Sequence, residues 1–139
     1  MAFKKAQVTL KPELKEVVKQ LKEKFSVAYE EVQPDRIVYL ESDARSKRAV
    51  KLTPIKLPHP SVSQFRFSLT VYSRIWSDLS DAHKLMHIHR ELLRIRDFEE
   101  GKLSGYPLND FPEIVAKYGV DWEMREDLPN ILNDEDTEE

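Results

Sequence analysis

The chain is expected to fold as a single α+β domain, a small antiparallel sheet of three strands with helices packed on one face. Apolar residues recur at helical spacing early in the chain, alternate with polar ones through its middle, and return to helical spacing after about residue 80. The resulting order of helix, three strands, helix and helix shows no internal repeat. At 139 residues the chain can bury a core without disulfides or metal as staples.

From Pro12 to Phe25, apolar Leu14, Val17, Val18, Leu21 and Phe25 stand three and four residues apart among lysines and glutamates, which predicts an amphipathic helix with Pro12 near its start. Alternation and β-branched or aromatic enrichment predict strands over Arg36 to Ser42, Arg48 to Leu57 and Phe65 to Trp76. The polar run Ser42 to Arg48 reads as a turn, and Pro58-His59-Pro60-Ser61 marks the second break, with His59 a loop residue. A long helix is predicted from Asp78 or Ser80, either of which can cap it, to about Phe98, with Gly101 as its stop. Its core face is Ala82, Leu85, Met86, Ile88, Leu92, Leu93 and Ile95. A last, C-terminal helix is predicted from Leu108 or Asn109 to Tyr118, ending at Gly119.

The net charge of −3 conceals an asymmetry. Residues 1–122 hold 21 Lys+Arg against 17 Asp+Glu, whereas residues 123–139 hold 8 acids and one arginine. We therefore expect a mildly basic domain over 1–122 and an acidic, disordered tail over 123–139, because Asn133 to Glu139 has no hydrophobic content to offset its ordering entropy. Such a tail solubilises, screens a basic face or mimics nucleic acid. The absence of cysteine excludes a disulfide framework and any thiolate metal site. Met1 to Lys5 leads into polar residues instead of an apolar secretion segment, and no apolar run reaches membrane-spanning length. A soluble cytoplasmic protein with no membrane partner is expected.

The most informative stretch is Leu85 to Ile95. A His-Glu-x-x-His zinc helix sets two imidazoles one turn apart, with the glutamate beside the metal-bound water. Here the frame is Arg90-Glu91-Leu92-Leu93-Arg94: glutamate and leucines are in place, and guanidinium groups, which cannot lose a proton to bind zinc, hold both ligand positions.

Two other segments extend the pattern: Trp76-Ser77-Asp78-Leu79-Ser80 before the helix, and Gly105-Tyr106-Pro107-Leu108-Asn109-Asp110-Phe111 after it, followed by Ile114-Val115 and Tyr118-Gly119. In this order and spacing, over most of residues 10–122, the chain resembles the phage metallopeptidase family, a small zincin-like group of bacteriophages and prophages. The resemblance places the family's three zinc histidines on Arg90, Arg94 and Tyr106 and its catalytic glutamate on Glu91. It thus implies a metallopeptidase-like scaffold whose metal ligands are gone.

Without a metal, Glu91 has no polarised water to deprotonate, and it is expected to pair with neighbouring arginines. His83, His87, Arg90 and Arg94, spaced by four, three and four, share one helix face. With Tyr106 they would line a cationic cleft suited to phosphate or carboxylate. The plainer reading is a solvated face whose arginines pair with Glu91, Asp97 and other acids. His83 and His87 also have the i, i+4 spacing of a metal pair, whereas His89 lies about 200° around the helix from His87 and cannot join it. The basic turn Arg45-Ser46-Lys47-Arg48, with Lys51 and Lys56, is a second candidate surface, for nucleic-acid backbone, with Tyr39 or Phe65 available for stacking.

The preferred reading is a non-catalytic phage or mobile-element protein without cofactor, which binds a host or viral protein, or a nucleic acid or other anionic ligand, in the host cytoplasm. The competing reading is an active zinc-dependent hydrolase with its site relocated to His83 and His87, in which Glu91 would still be catalytic. A third is a structural interaction protein with Trp76 or Trp122 exposed at an interface.

Overall fold

The fold was described from a computed structural model covering residues 7–55, 65–105, 114, 122–124, 128, 131 and 132. Its elements are β1 (Val8–Leu10), α1 (Glu13–Lys24), β2 (Ile37–Ser42), β3 (Val50–Pro54), β4 (Phe67–Tyr72), the short α2 (Ser73–Trp76), α3 (Asp81–Leu92), β5 (Ile95–Asp97) and β6 (Lys102–Leu103), with 3-10 turns at Pro34–Arg36 and Trp122–Met124.

Side-chain alternation decides where the sheet carries the core. Phe67, Leu69 and Val71 of β4 are fully buried, with half-buried Ser68, Thr70 and Tyr72 on the other face. β4 is central: β2 runs parallel to it from Ile37↔Phe67 to Ser42↔Tyr72, and β3 antiparallel from Val50↔Val71 to Pro54↔Phe67. β1 adds an outer edge, antiparallel to β2.

The expected three-stranded antiparallel sheet is therefore a four-stranded mixed one, ordered β1-β2-β4-β3. Periodicity identifies a strand without naming its neighbours. The polar link 43–49 carries β3 away from β2, and β4, the most apolar of the three, fills the space between. β1 left no sequence signal because its three residues are all exposed; it is held by its ladder and by the Gln7 amide donating to Asp43 Oδ1 at 2.7 Å.

α1 follows the predicted helix closely, with Pro12 at its cap and Leu14, Val18 and Leu21 buried. Burying each of those side chains is worth about 1.5–3 kcal/mol. α3 starts where Ser80 caps it, accepting from the His83 amide, and stops at Leu92, short of the expected Phe98. Ile95 to Leu103 instead forms the β5–β6 hairpin. Asp97 Oδ1 accepts the Glu100 amide at 3.1 Å, and Gly101, expected as a helix stop, is the left-handed residue of that turn with φ 66°. The hairpin is tied to the Pro34–Arg36 turn by Arg36 and Gln33, which donate to Glu99; the Arg36 guanidinium holds the Glu99 carboxyl below its usual range.

The core extends past residue 122. Leu128 and Ile131 are buried in it, and the Lys24 ammonium donates to the Ile131 carbonyl, so packed residues continue into the segment expected as tail. The predicted C-terminal helix lies outside the described residues apart from Ile114, which is fully buried. Asn133 to Glu139 also lie outside them.

α1 and α3 meet through an aromatic stack. The Phe25 and His89 rings lie 4.7 Å apart, and the Tyr29 hydroxyl is 2.7 Å from His89 Nδ1. Burial pushes the Tyr29 hydroxyl well above its ordinary pKa, so it stays protonated in its hydrogen bond with His89. Tyr39 is also pushed up, by burial first and then by Asp35, and its hydroxyl donates to the Pro34 carbonyl. A raised folded-state pKa contributes stability that is fully present below the unfolded tyrosine value of about 10 and is lost as pH rises above it. Stability is expected to fall above that pH. Tyr29→Phe should flatten the decline while costing about 1–3 kcal/mol at neutral pH, because the buried hydrogen bond between the Tyr29 hydroxyl and His89 Nδ1 is lost. Urea unfolding at neutral and alkaline pH reads both effects, and an unchanged alkaline limb in the variant would refute the assignment.

Candidate functional site

α3 presents a continuous buried run from Leu85 to Leu92, so its polar residues are packed against the rest of the protein. Glu91 is only 1% exposed; its Oε1 accepts the Leu52 amide of β3 at 3.0 Å and an Arg94 N–H at 3.1 Å. β3 is a sheet edge, and Glu91 satisfies one of the backbone donors that an edge leaves over. The expected pairing of Glu91 with a neighbouring arginine is present, joined by a main-chain contact that spacing does not reveal.

Arg90 and Arg94 have separate surroundings. The Arg90 guanidinium lies 5.0 Å from the centre of the Trp122 ring and 3.5 Å from Glu123 Oε1, and it donates to His87 Nδ1 at 3.3 Å. His87 meets the Trp122 ring edge-on at 5.0 Å, with its Nε2 3.8 Å from Glu123 Oε2. The C-terminal turn thus seats an aromatic ring and a carboxylate over the middle of the helix stripe. Trp122 is fully buried and Trp76 nearly so, so the exposed interface tryptophans expected from sequence are core residues. Tyr39, with its ring buried, is likewise no stacking platform. Phe65 is half-buried.

Arg94 turns the other way. Its Nε donates to the Ser104 carbonyl at 2.8 Å, and its side chain lines a cavity of about 320 Å³ with Ser46, Lys47, Arg48 and Lys51. The basic turn and the second arginine of the helix frame, two separate candidates in the sequence, therefore share one cavity. Arg45 is exposed and is not among its lining residues. At the helix start, His83 Nδ1 is 2.6 Å from Ser80 Oγ, while its Nε2 is buried without a hydrogen-bond partner among the described residues. Tyr106, Lys56 and His59 lie outside the described residues.

The family model described as Putative phage metallopeptidase matches residues 4–131. The chain belongs to that family. No curated protein and no solved structure matches it. The phage metallopeptidase match extends to residue 131, in keeping with the core reaching Ile131.

The zinc chemistry that a metallopeptidase implies finds no fitting donors at the positions the resemblance assigns. Two of them carry guanidinium groups, and the glutamate between them already accepts two hydrogen bonds through one oxygen. Among the described residues no three His, Asp or Glu side chains converge as a ligand set. No helix among the described residues is long and apolar enough to cross a membrane.

Sequence reasoning missed Trp122 and Glu123 as neighbours of His87 and Arg90. The Trp-Glu pair near the end of the packed chain was the available signal, but local periodicity does not connect it to a helix some 30 residues earlier.

Proposed function

We propose that this member of the phage metallopeptidase family is non-catalytic and acts in the host cell by binding a phage or host macromolecule through its cationic surface. The observation that carries the reading is the state of Glu91. A general base must reach a water and exchange a proton with it, whereas this carboxylate is buried and tied to the Leu52 amide and Arg94. The relocated alternative is less supported, since His83 and His87 have their Nδ1 atoms against Ser80 and Arg90, and no third ligand converges with them among the described residues.

Metal analysis of the dialysed protein, with peptide-hydrolysis assays before and after chelation, tests this. The expected result is substoichiometric metal and no chelator-sensitive hydrolysis. About one zinc per chain, lost in His87→Ala and accompanied by hydrolysis that chelation abolishes and zinc restores, would overturn the proposal in favour of the relocated site.

A further inference from the structure

We infer that β1 is a docking edge for a second copy of this chain: two β1 strands pair antiparallel about a twofold axis at Thr9 and join two four-stranded sheets into one. This pairing goes beyond the binding reading above and does not rest on it. The ladder to β2 fixes which way each residue of β1 turns its backbone. The Lys11 amide donates to the Tyr39 carbonyl at 2.8 Å, and the Gln7 carbonyl accepts the Asp43 amide at 3.2 Å. Hydrogen-bonded pairs alternate along an antiparallel ladder, so Gln7, Thr9 and Lys11 face β2, whereas Val8 and Leu10 turn their N–H and C=O groups outward. The side chains there meet solvent: Thr9 is exposed, Val8 is 56% exposed and Leu10 74%.

A second copy fits this edge because the edge is its own complement. With the axis at Thr9, Val8 lies opposite Leu10 of the second copy, and each such pair exchanges two main-chain hydrogen bonds. The same register sets the two exposed apolar side chains side by side, next to half-buried Leu40, the ladder partner of Leu10. Charge is compatible as well: Lys11, whose ammonium is held by Glu13 and Glu41, falls opposite the uncharged Gln7, so no like charges meet. Shifting the axis to Leu10 would bring Pro12, which has no N–H, into the ladder. At the far edge of the sheet, the Leu52 amide of β3 is already taken by Glu91, which favours a closed pair over a growing filament.

Two three-residue strands cover far less than the roughly 1,200 Å² of a standard stable interface, so the dimer is weak and forms at high concentration. Sedimentation velocity of the full chain, from micromolar to near-millimolar concentration, should show monomer passing to dimer and no larger species. Leu10→Pro removes an N–H that β2 does not use, suits an extended edge strand, and should weaken the dimer by about tenfold or more, with circular dichroism checking its fold. Single cysteines read the register, since the chain has none of its own. Thr9 and its symmetry mate form a close, non-hydrogen-bonded pair with Cα atoms about 4.5 Å apart, within disulfide reach. Thr9→Cys should therefore cross-link to dimer under mild oxidation well ahead of Val8→Cys, Leu10→Cys and Val27→Cys, the last at an 88% exposed position away from β1. A monomer at every concentration, a dimer indifferent to Leu10→Pro, or cross-linking no faster at Thr9 than at the other three positions would overturn the assignment. Slow amide exchange at Val8 and Leu10 in the dilute monomer would give the edge to another segment of the same chain, and would overturn the second copy as its occupant.

Discussion

Glu91→Ala should lower the stability of the fold by about 3–5 kcal/mol, the range for removing one partner of a buried, hydrogen-bonded charge pair. The loss arises because the buried Leu52 amide and one Arg94 N–H both lose the carboxylate oxygen that accepts them. Glu91→Gln keeps a carbonyl oxygen for the amide but not the charge for Arg94, and should cost about 1–3 kcal/mol. Urea unfolding midpoints give both values. The pair of variants separates two roles: a glutamate kept for catalysis loses activity on amidation with little change in stability, whereas a glutamate that fastens α3 to β3 loses stability. A loss under about 1 kcal/mol in Glu91→Ala would defeat the fastening role.

Trp122→Ala should cost a similar amount, about 3–5 kcal/mol, through lost burial and the cavity left behind. Its ring covers both His87 and Arg90, so truncation should also admit water to the stripe and weaken the hold of Glu123 on Arg90. Trp122→Phe keeps an aromatic face for the guanidinium and should recover much of the loss. Chemical denaturation reads the stability, and amide hydrogen exchange along α3 reads the opening. Unchanged exchange around His87 to Glu91 in the alanine variant would show that the turn does not cover the helix.

Elements that bury one face were legible in the sequence. α1 through Leu14, Val18 and Leu21, the middle strands through Ile37, Leu52, Phe67 and Leu69, and the start of α3 at Ser80 were each written in local spacing. What local spacing does not carry was lost: the side chains of β1 are exposed, and the place of β4 between β2 and β3 is set by pairing between distant segments. The β5–β6 hairpin was hidden because Ile95 fits the apolar period of the preceding helix as well as it fits a strand. At the candidate site the same limit applies. Arg90 and Arg94 share a stripe on a helical wheel, but Trp122 and Glu123 claim one, and Ser104 with the basic turn claims the other. Both sets of partners lie outside the helix.

The central position of β4 also imposes an order of events on synthesis. When the ribosome has made residue 66, the segments of β2 and β3 already exist, each with an apolar face and neither beside the other. Pairing on both waits for Phe67 to Tyr72 to emerge, a single step that joins distant parts of the chain. Until then the nascent chain carries two open strand edges, and this interval is where chaperone capture or aggregation competes with folding.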